Sequence, residues 1–199
     1  FGICTTRTSS GIVGVDSVNN IDMFCTGQQK IRAVNGVQSF TGTHDCFIRT
    51  TEVPELGDIV IDERMLLKEN ISQAYTLVTK TSSAMNKAVV GVYAGNRVVA
   101  PYDEKNGRMF ENQPMNVVLE VSRYEKCDVN AVGEGQINVC GENGNIETGD
   151  LICSSNMNGK GMKQADDVIR NYTVAKARES YEFSSANETA MIGCVYHCG

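Results

Sequence analysis

Short apolar stretches separated by turn formers run through the first part of the chain. Between Gly11 and Gly42 they are Ile12-Val13-Gly14-Val15, Ile31-Arg32-Ala33-Val34 and their separators Asn19-Asn20 and Asn35-Gly36. Asn-Gly between alternating segments predicts a tight hairpin, because both central residues of a type I′ turn need positive φ. Residues 1–42 therefore read as an extended, hairpin-rich lead-in. The remainder reads as two β units, 43–122 and 123–199, which can also form one continuous domain.

The division into two units rests on an internal echo. Leu56-Gly57-Asp58-Ile59-Val60-Ile61 recurs in type as Thr148-Gly149-Asp150-Leu151-Ile152-Cys153. In each, glycine supplies the positive φ of a turn, and the aspartate side chain can bond nearby backbone N–H groups before an apolar strand begins. Tyr75–Lys80 is matched in type by Tyr172–Ala177, and Val89–Tyr93 by Met191–Tyr196. The glycine inside each of the last two segments predicts a bulge or a close backbone approach. Gly57, Asp58, Gly149 and Asp150 are accordingly structural turn residues, with acid-base chemistry at the aspartates the lesser reading.

Helix is scarce. Met65, Leu66 and Leu67 are consecutive and carry no 3.6-residue period, so residues 62–73 predict at most a short helix or a long loop. Residues 98–113, with Pro101 and Asn106-Gly107, predict a loop or hairpin, and residues 115–121 a central strand. Gly133-Glu134-Gly135-Gln136 predicts a turn into the next strand, which Glu142-Asn143-Gly144-Asn145 then closes as a hairpin. The fold class is mainly β, with two related barrel- or sandwich-like units.

Composition narrows the function classes. The net charge of -6 and the absence of any run of basic residues argue against a nucleic-acid partner. The longest apolar runs fall far short of the ~20 residues that span a bilayer, so membrane insertion is not expected. The opening residues Phe1-Gly2-Ile3-Cys4 carry no initiator Met or signal peptide and predict an excised piece of a longer polypeptide. The eight cysteines lie singly, several at apolar alternation sites such as Cys140 and Cys153, and read as small buried hydrophobes. Disulfides and metal ligation are the alternatives. The metal candidates are His44, Cys46, Cys194, His197 and Cys198, should the fold bring them together. No paired C-x2-C knuckle supports them, and no cofactor or metal is expected.

Three segments carry a family resemblance: 133–139, 144–152 with its Gly-Asp turn, and Gly159-Lys160-Gly161-Met162-Lys163-Gln164-Ala165. Their order resembles a β module near the ends of phage tail fibres and neck appendages, similar to the peptidase G2 family of self-cleaving intramolecular chaperones. The stretch from Phe40 through Val92 looks like the first half of that arrangement. The resemblance implies a homotrimer on the surface of a virion, in contact with other virion proteins. Self-cleaving regions of this kind often place serine beside aspartate at the scission point, and this chain has no Ser-Asp dipeptide. No catalytic residue is carried over.

The functional expectation is a structural appendage module, a fibre or spike head that presents loops to a cell-surface glycan or protein receptor. The presenting loops are 94–113 and 179–188, with Tyr102, Phe110, Tyr181 and Phe183 as gripping aromatics; the same rings can instead plug the core edge or a subunit interface. An autoproteolytic chaperone and a glycan-degrading hydrolase are the alternatives. With only two histidines, a nucleophile-base pair around His44 is the weaker reading.

Overall fold

The computed structural model describes residues 14–16, 21–24, 41–70, 73–96 and 123–198. Contacts divide the chain into units 1–38 and 39–199. In the first, β1 (Gly14–Asp16) and β2 (Ile21–Phe24) pair antiparallel. The Asn35-Gly36 turn, the 98–113 loop with Tyr102 and Phe110, and the strand expected over 115–121 lie outside the described residues.

The second unit is mainly β, with no α-helix among its described residues. Its strands are β3 (Thr41–Ile48), β4 (Ile59–Asn70), β5 (Gln73–Lys80), β6 (Val89–Asn96), β7 (Glu125–Cys140), β8 (Leu151–Ser154), β9 (Gly161–Lys163), β10 (Thr173–Ala177) and β11 (Thr189–His197). They close two five-strand rings. The first runs β3-β5-β4-β6-β7 and returns to β3; the second runs β7-β9-β8-β10-β11 and returns to β7. Strand β7 belongs to both. Its 16 residues reach about 50 Å, enough for residues 125–133 to pair with β3 while 132–140 pair with β11.

The two rings repeat one plan. In each, a single parallel pairing follows the first strand, β3 with β5 at Phe47 and Leu77, and β7 with β9 at Val139 and Gly161. The other four pairings of each ring are antiparallel. A bulge recurs at the same place. Val60 and Ile61 face Gly91 and Val89, and Ile152 and Cys153 face Ala175 and Thr173, each skipping one residue.

This alignment corrects the echo read from the sequence. The Gly-Asp turns do correspond, since β4 matches β8. Beyond them the topology pairs β5 with β9 and β6 with β10, so Tyr172–Ala177 corresponds to Val89–Tyr93 and not to Tyr75–Lys80. Hydrogen bonds fix the register: Gly57 N donates to Tyr93 O and Tyr93 N to Asp58 O, as Gly149 N donates to Ala177 O and Ala177 N to Asp150 O. The sequence match slipped by one strand because β9 has only three residues and no apolar repeat of its own.

Three local readings also change. Residues 62–70 continue β4 as strand, and shifts at Asp62/Arg64, Met65/Leu67 and Lys68/Asn70 explain why its apolar positions do not alternate. Met65 is exposed, whereas Leu67 is buried against Phe47, Tyr75 and Leu77. Gly133–Gln136 is the interior of β7 where it passes from one ring to the other, not a turn. The 141–145 segment is a short 3-10 turn and loop, not a hairpin, because β8 pairs with β9 and β10 while β9 separates it from β7.

The core is continuous across the rings. Ile59 and Val92 of the first pack with Ile137, Val139, Ile152, Val174 and Ile192 of the second. A further cluster of Cys46, Ile48, Val60, Val78, Tyr93, Cys127 and Val129 fills the first ring. All four residues of β8 are buried, as the unbroken apolar run Leu151-Ile152-Cys153 requires.

Candidate functional site

The two Gly-Asp turns are built alike. Asp58 Oδ2 accepts the Glu55 N–H at 3.0 Å and Asp150 Oδ2 accepts the Glu147 N–H at 2.8 Å, while Gly57 and Gly149 both hold positive φ, 91° and 102°. Their surroundings differ. Asp150 is half-buried, and Lys163 of β9 pairs with it at 2.9 Å. Asp58 is 2% exposed and meets groups from the opposite ring.

Two of those groups meet Asp58 Oδ1. Asn138 Nδ2 of β7 donates to it at 2.9 Å and also to Leu56 O. Lys160 Nζ, from the loop between β8 and β9, donates to it at 2.6 Å and to Glu55 Oε2 at 2.7 Å. Burial alone would push the Lys160 ammonium down, but its hydrogen bonds to Asp58 and Glu55 and their charges outweigh this and raise it. Glu55 is held below the usual carboxylate range by the same hydrogen bond.

Backbone bonds complete the clasp. Asn138 N donates to Gly57 O, Ile59 N to Gly159 O, and Gly159 N to Thr81 O, so the 155–160 loop inserts between the ends of β4 and β5. Gly159 is required there. Its φ is 75°, and a Cβ would stand 2.7 Å from Asp58 Cγ. A second contact lies alongside: Ser154 Oγ, fully buried, donates to Ser83 O and accepts the Asn86 N–H.

Of the five metal candidates, the fold brings three to one place. His44, His197 and Cys198 line a cleft of about 360 Å³ with Val89, Val90, Ile169, Arg170, Asn171 and Thr173. Cys46 and Cys194 instead sit in separate core clusters. Among the described residues no three His, Cys, Asp or Glu side chains are placed to hold a metal ion. The six described cysteines are free thiols, five of them buried. Burial pushes Cys46, Cys194 and Cys198 up to about 12, so at neutral pH they are protonated thiols and poor nucleophiles.

The Tyr181 and Phe183 rings meet at a tilt of 54° with centroids 4.8 Å apart and pack against the core of the second ring, and the Tyr181 hydroxyl donates to Glu188. Tyr181 also bridges to Ile146, tying their loop to the Gly149-Asp150 turn region.

Sequence reading picked out Asp58 but not its partners. Signals for them exist. Asn138 is a polar residue within the buried run Ile137-Asn138-Val139-Cys140, and Lys160 stands between two glycines. No protein-family model matches the chain, and a search of curated proteins finds no significant match.

Proposed function

We propose that the chain is a structural module of a viral surface appendage, a tail-fibre or spike head that trimerises and presents loops for host attachment. The observation that supports it most is where the buried polar chemistry goes. Asp58, Asn138, Lys160 and Ser154 are all spent on joining one ring to the other. A molecule whose buried charge holds two barrels rigid suits bearing load and display better than turnover. The phage-appendage resemblance adds to this, since its segments 133–139, 144–152 and 159–165 contribute β7, the second Gly-Asp turn and the Lys160 loop.

The test is the oligomeric state of the purified chain by light scattering, followed by binding of labelled protein to candidate host cells. A stable trimer that binds cells is the expected result. A clean monomer that depolymerises polysaccharide would overturn it in favour of the hydrolase reading.

A further inference from the structure

The geometry points to a covalent cross-link between the rings: an amide joining Lys160 Nζ to Asp58 Cγ, formed with loss of one water. The pair has the parts this reaction needs. Asp58 is 2% exposed and the Lys160 side chain 12%, so water is largely excluded from their contact, while the Glu55 side chain beside them is 78% exposed and reaches the amine from the solvent side. The amine nitrogen already lies 2.6 Å from Oδ1. A second carboxylate, Glu55 Oε2, touches the same nitrogen at 2.7 Å. Asn138 Nδ2 donates to Oδ1, and the Glu55 backbone N–H donates to Oδ2.

In the resting pair the ammonium and carboxylate do not react. One proton passing from Nζ to Oδ1 along their hydrogen bond produces the amine and the carboxylic acid together; the hydrogen bonds to Asp58 and Glu55 hold the resting pair as ions, and burial lowers the cost of reaching the neutral one. The nitrogen then attacks Cγ and the C–N bond forms. Negative charge gathers on Oδ2, where the Glu55 N–H receives it. Glu55 Oε2 takes the second proton from nitrogen and returns it to Oδ1, the Cγ–Oδ1 bond breaks, and Oδ1 departs as water. Ammonium and carboxylate have become a secondary amide and water, Glu55 is regenerated, and no oxidant or reductant enters. Groups held in contact react at effective concentrations of about 10⁵–10⁸ M, which is what lets an amide form in water.

The second Gly-Asp turn is an internal control. Asp150 and Lys163 also pair, at 2.9 Å, but their side chains are 16% and 33% exposed. Water stabilises that pair as ions, so it stays uncoupled.

The experiment is the intact mass of the full chain, reduced and denatured, with a tryptic map. The wild-type chain is expected one water lighter than its sequence, with segment 50–64 joined to segment 127–163 because trypsin no longer cuts after Lys160. Lys160→Arg keeps the charge but is expected at full mass. Asp58→Asn, if it couples, loses ammonia instead of water. Wild-type protein at full mass after long incubation, with 50–64 and 127–160 recovered as separate peptides, overturns the proposal even if neither variant folds. Water loss mapped to Asp150 and Lys163 overturns it too. A full-mass chain that still trimerises and binds cells leaves the proposed function standing and removes the cross-link alone.

Discussion

The two Gly-Asp turns share a backbone, a glycine of positive φ and an aspartate that caps its own turn, yet they do different work. Asp150 closes its turn and, half-buried, pairs with a lysine of its own ring. Asp58 does the same locally and is then buried by the opposite ring, which supplies Asn138, Lys160 and the Gly159 backbone. A repeated motif can thus hold one local role while its environment adds a second. Desolvation makes the difference, because a buried carboxylate left without its cation costs far more than an exposed one.

The largest expected break in that comparison is Asp58→Ala. It leaves the Lys160 ammonium with Glu55 alone and takes the acceptor from Asn138 Nδ2 and the Glu55 N–H, and should destabilise the protein by about 3–5 kcal/mol, read as a lowered midpoint in urea unfolding. Asp150→Ala should cost about 1 kcal/mol, chiefly the lost bond to the Glu147 N–H. Equal losses at the two sites would mean that the clasp adds nothing to the turn.

Next comes Gly159→Ala. A methyl group 2.7 Å from Asp58 Cγ must push the carboxylate or the loop aside, at about 1–3 kcal/mol above the backbone cost. Gly144→Ala is the matched control: its φ is 85°, but nothing lies within 4 Å of the added carbon. It should lose only the conformational share, about 1–3 kcal/mol for a backbone with φ 85° and ψ -167°.

A third test uses pH. The Lys160 ammonium is raised above its ordinary value when folded, so its contribution is complete below the ordinary lysine range and disappears as pH rises through the raised value. Lys160→Met should therefore flatten the alkaline limb of a stability-versus-pH curve. If the wild-type amide has formed, that limb is already flat in the wild type, which ties this measurement to the mass measurement. The smallest effect belongs to Lys163→Met, which removes only a partly solvated ion pair and should leave the urea midpoint almost unchanged.

Much of the architecture was legible in the chain. Alternation and Gly-Asp punctuation predicted a mainly β protein with two related units, and the described strands form two rings of one plan that share β7. The cysteines at Cys140 and Cys153 read as buried hydrophobes and are buried. What misled was the bulge. Three bulges in β4 broke the period of two, so 62–70 looked unlike strand, and a three-residue β9 was too short to show any period at all.

By itself, then, the sequence determined local matters: where strands start, which turns need glycine, and which side chains avoid water. These follow from steric limits on φ and from hydrophobic spacing within a few residues. Only the tertiary structure decided that β7 serves two rings, that His44 and His197 line one cleft, and that Asp58 is buried more deeply than Asp150. Asn138 and Lys160 lie 80 and 102 residues from Asp58, and no local rule joins positions that far apart. Closure of the rings brings them together, and the cost of burying an unpaired carboxylate makes each of them necessary.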